Sequence, residues 1–457
     1  MTPNNPIRRR DFLRIAAGCC ATGGLGLYPA LSLAAEAGGG HPLAPRPSHF
    51  PGKAKQMILL FMTGGMSHLD TFDPKPALRE RHGQKVEGGY IKGGDFTFAR
   101  CGKSGLEISE LFPHLQKVAD ELCVIRSMYT DHGDHFQGTL AMHTGSASVP
   151  LPSLGSWISY GLGTENPNLP SYMVLAKDPP YAGGQVWDNS FLPAYHQGVR
   201  ITPGEEPIPD IRPAARSASL ADLERVMLED FNKLHSSLRP EDLRLPSRMA
   251  TFNTAKGMMS EAPAVFDLSA ETDKTLEAYG IQRGDSSAFG WQCLVARRLI
   301  ERGVRVVELI DRGAGGNWDS HSNMEDHRKL AEYIDRGVSA LISDLAERGL
   351  LDQTLIVGCT EFGRTPHNPK PDEKGRGHHR RAFSCFLSGG GAKGGYAHGE
   401  SDEIGMEVAK DKVHVHDFHA TILHLMGFDH ERLTYRYGGR DYRLTDVHGN
   451  VVKEILA

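Results

Sequence analysis

The sequence contains little cysteine and no C-x-x-C pair: seven cysteines occur among 457 residues. Two of them, Cys19 and Cys20, lie in a predicted N-terminal signal, which leaves the cysteines at positions 101, 123, 293, 359 and 385. An odd number of widely spaced cysteines argues against a disulfide framework and against a zinc–thiolate site. The last four lie in apolar runs and are predicted to be small core residues.

The chain also has no large excess of positive or negative charge. The 51 basic and 56 acidic residues leave a formal net charge of -5, which gives no reason to expect nucleic acid as a partner. Hydrophobic residues make up 39% and charged residues 23% of the chain, as in ordinary soluble globular proteins. A chain of this length can form one large α/β domain or two domains.

The N-terminus resembles an export signal. Arg9 and Arg10 precede an uncharged apolar stretch over residues 15–35, and Ala35-Glu36-Ala37 is a possible cleavage site. We therefore predict a twin-arginine signal over residues 1–37, recognition by the twin-arginine export machinery, and a periplasmic or extracellular location. An uncleaved membrane anchor is the alternative, but the glycines and the proline in this stretch make a poor spanning helix. We expect no stable membrane span in the mature chain.

Apolar runs alternate with helical patterns along the rest of the chain. Residues 38–54 are a flexible lead-in, and residues 55–457 are predicted to form a single domain with a Pro/Gly-rich insertion at about 151–260. A helix is predicted from Ile108, with Ser109 as its cap. The runs at 57–62, 122–126, 304–310, 354–360 and 382–387 are predicted strands, and the helical pattern over 324–348 joins the third run to the fourth in a βαβ unit.

Polar residues follow these predicted strands. Because the carboxyl ends of parallel strands meet at one sheet edge, these residues are predicted to form a single site. Carboxylates with neutral imidazoles suit Zn²⁺, Mn²⁺ or Ca²⁺, and an adjacent arginine suits sulfate or phosphate. The candidate residues are Ser67, Asp70, Thr130, His132, His135, Asp319, His321, Glu361, Arg364, Arg376, His378 and His379.

Two parts of this set have alternatives. The loop at 131–135 places four acidic or imidazole groups within five residues, which indicates a bound ion, although an exposed polar turn fits the same pattern. Adjacent histidines in an extended segment point to opposite sides, so one of His378 and His379 is a predicted ligand and the other its neighbour.

Several motifs together resemble the DUF1501 family of exported bacterial proteins, which is related to sulfatases and to the alkaline phosphatase superfamily. They include G-G-x-S-x-x-D-T-F-D-P-K-P from Gly64, W-D-x-H from Trp318 and E-F-G-R-T-P from Glu361. The resemblance implies a doubly wound α/β fold, with a mixed, mostly parallel sheet flanked by helices and metals at its carboxyl edge. The ligands it implies are Asp70, Asp319, His321, Glu361, which stands where an Asp is usual, and His378 or His379, of which we take His378.

The sequence departs from the superfamily pattern at the nucleophile. His135 stands where sulfatases have Cys or Ser, and no C-x-P-x-R sequence is present, so no formylglycine is expected. Thr130 or a metal-bound water could attack instead, a histidine could take a covalent role, or hydrolysis could be lost while the metal is kept.

These observations predict an exported, metal-dependent hydrolase of sulfate or phosphate esters, with a small molecule or a glycan as substrate. Arg364 would bind the oxyanion, and His132 or His135 would act as acid, base or nucleophile. Ser67, Arg376 and His379 are predicted to contact the substrate. The alternative is a catalytically silent, metal-containing secreted protein that binds a glycan or a protein partner.

Overall fold

The structure is a computed structural model that describes residues 42–211, 217–242 and 244–457. The predicted signal over 1–37, and the lead-in as far as residue 41, lie outside these residues. Within the described part of the chain, no helix combines the length and the apolar composition that a membrane span requires.

A nine-stranded sheet forms the centre of the fold. Its strands are β1 (Gln56–Phe61), β2 (Leu122–Tyr129), β3 (Tyr172–Ala176), β4 (Val199–Ile201), β5 (Val306–Ile310), β6 (Thr354–Cys359), β7 (Phe383–Ser388), β8 (Tyr396–His398) and β9 (Val413–His414). Their spatial order is β8-β2-β7-β6-β1-β5-β3-β4, and β9 also pairs with β2. Only the two pairs that involve β7 are antiparallel among these strands, which confirms the predicted mixed, mostly parallel sheet.

The α-helices of the described residues are α1 (His68–Thr71), α2 (Pro76–Glu80), α3 (His135–Thr144), α4 (Leu154–Leu162), α5 (Ala218–Ser237), α6 (Arg244–Phe266), α7 (Asp273–Tyr279), α8 (Phe289–Glu301), α9 (Asp326–Glu347) and α10 (Val415–Leu425). Short 3₁₀ segments lie at Leu115–Glu121, Gly183–Trp187, Ala194–His196, Leu351–Gln353 and Lys453–Ile455.

Small two- and three-stranded ribbons lie outside the central sheet. Their strands are Lys85–Val86, Gly89–Ile91 and His367–Asn368; Phe98–Cys101 and Leu106–Ser109; Gly363–Arg364 and His378–His379; Glu400–Ser401 and Val408–Lys410; and Tyr435–Tyr437 and Arg440–Tyr442. The ribbon of Gly363–Arg364 and His378–His379 pairs the segment after β6 with the two adjacent histidines, and Arg364 lies opposite His378.

Helices cover both faces of the sheet. Successive side chains of a strand point to opposite faces, so each strand contributes to two hydrophobic clusters. In β1, Ile58 and Leu60 join one hydrophobic cluster, to which α8 and α9 contribute. Leu59 and Phe61 join a second cluster, to which α4 and α10 contribute. The continuously apolar runs that identified the strands in the sequence are therefore buried on two sides.

The predicted βαβ unit is formed by β5, α9 and β6, and its two strands lie on either side of β1. The register aligns the ends of all three strands, since Phe61 is opposite Ile310 on one side and Cys359 on the other. The residues that follow them, beginning at Met62, Asp311 and Thr360, therefore emerge at the same edge of the sheet.

Two sequence predictions differ from the structure. The predicted helix from Ile108 is wrong: Ser109 ends a hairpin strand, and only a 3₁₀ segment follows, after Pro113. There the buried Asp335 carboxylate accepts hydrogen bonds from the His114 and Leu115 backbone amides. In addition, β3 and β4 are central-sheet strands although they lie inside the segment predicted as an insertion.

Candidate metal centre

Two neighbouring strand ends hold a buried carboxylate. Glu361 follows β6 and is fully buried. The Gly64 amide, which follows β1, donates to Glu361 Oε1 at 2.9 Å, and the Thr360 hydroxyl donates to Oε2 at 3.0 Å. Donors of this kind offset the cost of burying a carboxylate. Glu361 is thus fixed in place by the backbone of a neighbouring strand end.

His135 lies between Glu361 and a second carboxylate. It is the first residue of α3, whose amino end is capped by Asp134. His135 Nδ1 is 2.7 Å from Glu361 Oε1, and Nε2 is 3.2 Å from Asp319 Oδ2. The geometry at Nε2 is not that of a hydrogen bond, so this buried nitrogen has no hydrogen-bond partner. An imidazole that is oriented at Nδ1 and unsatisfied at Nε2 is arranged like a metal ligand.

A further buried carboxylate, Glu308 of β5, holds helix α3 against the sheet. His143 Nε2 lies 2.9 Å from Glu308 Oε1, and the Tyr172 hydroxyl donates to Oε2. All three side chains are buried. Because His143 is on the same helix as His135, this network fixes the helix that presents His135 to the sheet edge.

Asp319 and two further histidines complete the cluster. His321 Nε2 and His378 Nε2 lie 2.9 and 3.2 Å from Asp319 Oδ1, and 2.9 Å from each other. Two imidazole nitrogens at that distance can share at most one proton. His378 Nδ1 is directed to the Gly133 carbonyl oxygen at 2.9 Å, which leaves Nε2 facing Asp319.

Arg364 fixes the position of Asp319. Its Nη2 donates to Asp319 Oδ1 at 2.7 Å, its Nε donates to the Gly65 carbonyl at 2.7 Å, and Nη2 also donates to the Gly64 carbonyl. The Arg364 side chain is fully buried, whereas Asp319 is one-quarter exposed. Arg364 therefore connects the β1 loop to Asp319, and most of its donors are already used.

The ionisable groups of the cluster shift one another's pKa values. Burial lowers the pKa of His135, but the Asp319 and Glu361 carboxylates outweigh burial and raise this pKa to about 9. Burial raises the pKa of Asp319, but His135, His378 and Arg364 hold it well below its usual range. Burial also lowers the pKa of His321. Without a metal, the cation beside the ionised Asp319 is the His135 imidazolium, so a metal bound at His135 would have to displace the Nε2 proton.

The donor set fits a divalent metal. One ligand atom each from His135, Asp319 and His378 lie within 4.8 Å of one another, and His321 borders them. Imidazole nitrogens with a carboxylate suit Zn²⁺ or Mn²⁺ better than Ca²⁺, which prefers oxygen ligands. Among the predicted residues, the structure therefore brings together His135, Asp319, His321, Glu361, Arg364 and His378.

Asp70, Arg376 and Ser67 form a separate buried network. Arg376 Nε donates to Asp70 Oδ2 at 2.8 Å, and the Ser67 hydroxyl donates to the same oxygen at 2.6 Å. The other Arg376 donors reach the carbonyls of Lys92, Thr365 and Gly93. The network is a fully buried ion pair with its hydrogen-bond partners. It lies outside the group of ligand atoms around Asp319, although Asp70 was a predicted metal ligand and Ser67 and Arg376 were predicted substrate contacts.

The remaining predicted residues also lie outside that group. Thr130 is buried, and its amide donates to the Arg380 carbonyl at 2.9 Å. His379 is buried, with Nε2 2.7 Å from the Met406 carbonyl oxygen, and burial lowers its pKa to about 3. His132 is half-buried in the loop before α3. Of the adjacent histidines, His378 is the one directed at Asp319.

Tyr181 is a site residue that the sequence did not reveal. Its ring stacks on His135, with centroids 4.2 Å apart and an interplanar angle of 13°. Its hydroxyl accepts from Asn317 Nδ2 at 3.1 Å. The only available signal was a tyrosine in a Pro/Gly-rich segment, which is too weak to select it.

A family model described as "Protein of unknown function (DUF1501)" matches residues 54–456. The chain belongs to the DUF1501 family. This match confirms the resemblance that the sequence motifs indicated, over nearly the same residues. No curated protein matches the chain.

Several solved structures align with this DUF1501 protein over most of its length, with low sequence identity and low TM-scores. The lipoteichoic acid synthase LtaP from Listeria monocytogenes is 9% identical with a TM-score of 0.38, over 85% of this chain and 76% of that one. The periplasmic domain of EcEptC from Escherichia coli, in complex with Zn, is 11% identical with a TM-score of 0.36, over 88% and 97%. A Vibrio parahaemolyticus protein of the alkaline phosphatase superfamily is 10% identical with a TM-score of 0.35, over 85% and 70%. Similarity at this level supports no inference about activity.

Gly64→Ala is expected to destabilise this DUF1501 protein by about 2 kcal/mol more than Gly83→Ala. Both glycines have positive φ, +111° and +77°, so both substitutions strain the backbone. At Gly64 a Cβ atom would also lie 2.6 Å from Asn317 Oδ1 and 2.7 Å from the Trp318 amide, whereas at Gly83 nothing lies within 4 Å. Urea denaturation of the two variants measures the difference, and equal destabilisation would contradict the close approach of the two loops.

Proposed function

We propose that this protein is an exported, divalent-metal-dependent hydrolase of sulfate or phosphate esters. The observation that supports the proposal is the convergence of His135, Asp319 and His378 within 4.8 Å at the carboxyl edge of the sheet. His135 Nε2, an Asp319 oxygen and His378 Nε2 would hold the metal, with His321 as a further ligand. The metal is Zn²⁺ or Mn²⁺ in this proposal, because the ligands are mostly imidazoles.

Glu361 then orients His135 rather than binding the metal. The Glu361 carboxylate accepts the Nδ1 proton, which fixes the tautomer that leaves Nε2 free for a metal. Arg364 orients Asp319 in the same way through its 2.7 Å hydrogen bond. When bound, the metal would polarise an oxygen of the ester group.

Substrate would approach from the side of His321 and Arg380. His321 is half exposed, with 52% of its side chain accessible, and it borders the ligand atoms. Arg380 is exposed, and its guanidinium donates to the Asp131 carbonyl in the loop that also contacts His378. The His321 imidazole at the centre and an exposed guanidinium bonded to the neighbouring loop would suit an anionic sulfate or phosphate group. Export by the twin-arginine route to the periplasm or beyond is part of the same proposal.

A secreted, metal-containing binding protein without hydrolytic activity is the second candidate. The observation that favours it is the condition of the two arginines predicted to meet an oxyanion or substrate. Arg364 and Arg376 are both fully buried, and their donors are committed largely to carboxylates and backbone carbonyls. A ligand of such a protein would be a glycan or a protein surface.

Glu361→Gln is expected to weaken metal binding by about 10- to 100-fold and to lower turnover of aryl sulfates or aryl phosphates. Gln keeps the size of the side chain but removes the negative charge that orients His135. Purified protein is assayed for metal by mass spectrometry and for turnover with a panel of both ester types. Glu325→Gln, at an exposed position, is the matched control.

The outcomes separate the two candidates. Bound metal with turnover that falls in Glu361→Gln supports the hydrolase. Bound metal without turnover of any ester supports the binding protein. Correctly folded protein that binds no divalent metal, even after metal is added, rules out both.

A further inference from the structure

Tyr181 lies against the ring of a proposed metal ligand. Its phenol ring is stacked on the His135 imidazole, with centroids 4.2 Å apart and an angle of 13° between the ring planes. Tyr181 is half-buried and comes from the loop that follows β3. Since Ala176 at the end of β3 is paired with Ile310 at the end of β5, this loop emerges at the same edge of the sheet as the loop that carries Asp319.

The Tyr181 hydroxyl is connected to the loop of a second proposed ligand. Asn317 Nδ2 donates to this hydroxyl at 3.1 Å and to the Gly313 carbonyl at 2.9 Å. The Asn317 side-chain oxygen accepts a hydrogen bond from the Asp319 amide at 3.1 Å. One tyrosine therefore contacts the His135 ring with its face and, through Asn317, the backbone of Asp319 with its hydroxyl.

The two loops that meet at Tyr181 are packed closely together. The Ala314 amide donates to the Pro179 carbonyl at 3.1 Å. A Cβ atom on Gly313 would lie 2.7 Å from the same carbonyl oxygen, so a larger residue would not fit there without a shift. Pro179 and Pro180 precede Tyr181 and restrict the backbone in front of it. The tyrosine is therefore presented by a backbone that has little freedom.

The plane of the His135 ring requires support of this kind. Rotation about the Cβ–Cγ bond of histidine has broad energy minima, so rotamer preference alone does not fix the ring plane. The Glu361 carboxylate holds Nδ1 at 2.7 Å, but a single hydrogen bond still permits the ring to tilt. A parallel ring against the imidazole face restricts that tilt and keeps the unpartnered Nε2 directed towards Asp319. Groups that orient a ligand in this way contribute strongly to metal affinity.

We propose that Tyr181 is a positioning residue of the metal centre, which holds the His135 ring by stacking and the Asp319 loop through Asn317. The inference rests on the metal centre of the proposed function but not on hydrolysis. Tyr181 is not itself a ligand in this proposal, because its hydroxyl is engaged by Asn317. A residue that merely filled the space would affect the stability of the protein and leave its metal affinity unchanged, and this difference is measurable.

The first test is the metal affinity of the full chain, measured for Zn²⁺ by competition with a chromophoric chelator. Tyr181→Leu removes the stack and the hydroxyl and is expected to weaken Zn²⁺ binding by about 10- to 100-fold. Tyr181→Phe keeps the ring and is expected to weaken binding by about tenfold at most. Tyr437→Leu is the matched control. Tyr437 is 54% exposed and stacked on Phe191 in a separate hairpin, and its loss should leave the Zn²⁺ affinity unchanged.

Two further measurements separate the stack from the hydroxyl. Co²⁺ bound in place of Zn²⁺ gives visible absorption bands that depend on coordination geometry. Tyr181→Leu should shift these bands, whereas Tyr181→Phe should retain them because the stack remains. A double-mutant cycle of Tyr181→Phe and Asn317→Ala tests the hydroxyl. The loss of binding free energy in the double variant should be clearly smaller than the sum of the two single losses, because both substitutions break the same connection.

Each outcome decides between positioning and packing. Unchanged Zn²⁺ affinity and an unchanged Co²⁺ spectrum in Tyr181→Leu, folded as judged by circular dichroism, would overturn the inference and leave the metal centre intact. Additive losses in the cycle would overturn the connection through Asn317. Weaker metal binding by Tyr181→Leu supports the inference even where no ester is turned over. A wild type that binds neither ion would overturn the inference together with the proposed function.

Discussion

Asp319→Asn is expected to abolish divalent metal binding and to lower the free energy of unfolding by about 2 to 3 kcal/mol. Asn keeps the size of Asp and one acceptor oxygen but removes the charge shared by the cluster and Arg364. Arg364 is fully buried, and among the described residues it has no other carboxylate within 4 Å. Its charge would remain without a counterion in the protein interior. The expected cost is below the roughly 3 to 5 kcal/mol of a fully buried pair because Asp319 is partly exposed.

Two measurements check this result. Mass spectrometry gives the metal content of the purified variant, and urea denaturation of metal-free protein gives the loss of stability without the contribution of the metal. A chelator should lower the melting temperature of the wild type and leave that of the variant unchanged. Asp352→Asn, at an exposed position, is the control and should change stability by less than about 0.5 kcal/mol. Full metal occupancy in Asp319→Asn would contradict the proposed centre.

Asp70→Asn is expected to lower the free energy of unfolding by about 3 kcal/mol while metal content stays unchanged. Asp70 and Arg376 are both fully buried and 2.8 Å apart. The substitution leaves the Arg376 guanidinium with backbone carbonyls but no carboxylate. The resemblance to sulfatases predicts Asp70 as a metal ligand, so this variant distinguishes a ligand from half of a structural ion pair. Loss of metal in Asp70→Asn would restore the ligand role.

The Asp70 effect should also depend on pH. Burial raises the pKa of Asp70, but Arg376 and the Ser67 hydroxyl outweigh burial, and the pKa lies below its ordinary value. A carboxyl whose pKa is lowered on folding contributes stability above its unfolded pKa of about 4, and this contribution is lost as pH falls further. The difference in stability between wild type and Asp70→Asn should therefore shrink in acid.

The control for Asp70→Asn is Asp273→Asn, which removes an exposed ion pair with Arg283 and should lower the free energy of unfolding by at most about 1 kcal/mol.

Part of the candidate site could be predicted from local patterns. Asp319 follows β5, which is apolar except for Glu308, and Glu361 follows the largely apolar β6; parallel strands deliver such residues to one edge of the sheet. The same reasoning correctly placed His135 after β2 and His378 in the loop before β7. What it could not supply was the partner of each group: Glu361 contacts His135 across 226 positions of sequence, and Asp70 contacts Arg376 across 306.

The errors in the fold have the same origin. The pattern from Ile108 is compatible with a helix, but Asp335, far along the chain, accepts the amides of His114 and Leu115 and selects a short 3₁₀ turn. The apolar residues of α5 are spaced correctly for a helix, yet Leu223, Phe231 and Leu234 are more than half exposed, so spacing alone does not tell which face packs inward. Local sequence specifies the period of an element, whereas its surroundings specify its orientation.

The sequence by itself determined the family, the mostly parallel sheet and the edge at which polar side chains gather, because apolar runs and the residues after them are local properties of the chain. Only the tertiary structure decided which of those side chains meet. It separated Asp70 and Arg376 from Asp319, placed Glu361 behind His135, and buried Arg364 against the β1 loop. The physical reason is that ionisable groups in a protein interior require specific partners, and those partners come from distant segments of the chain.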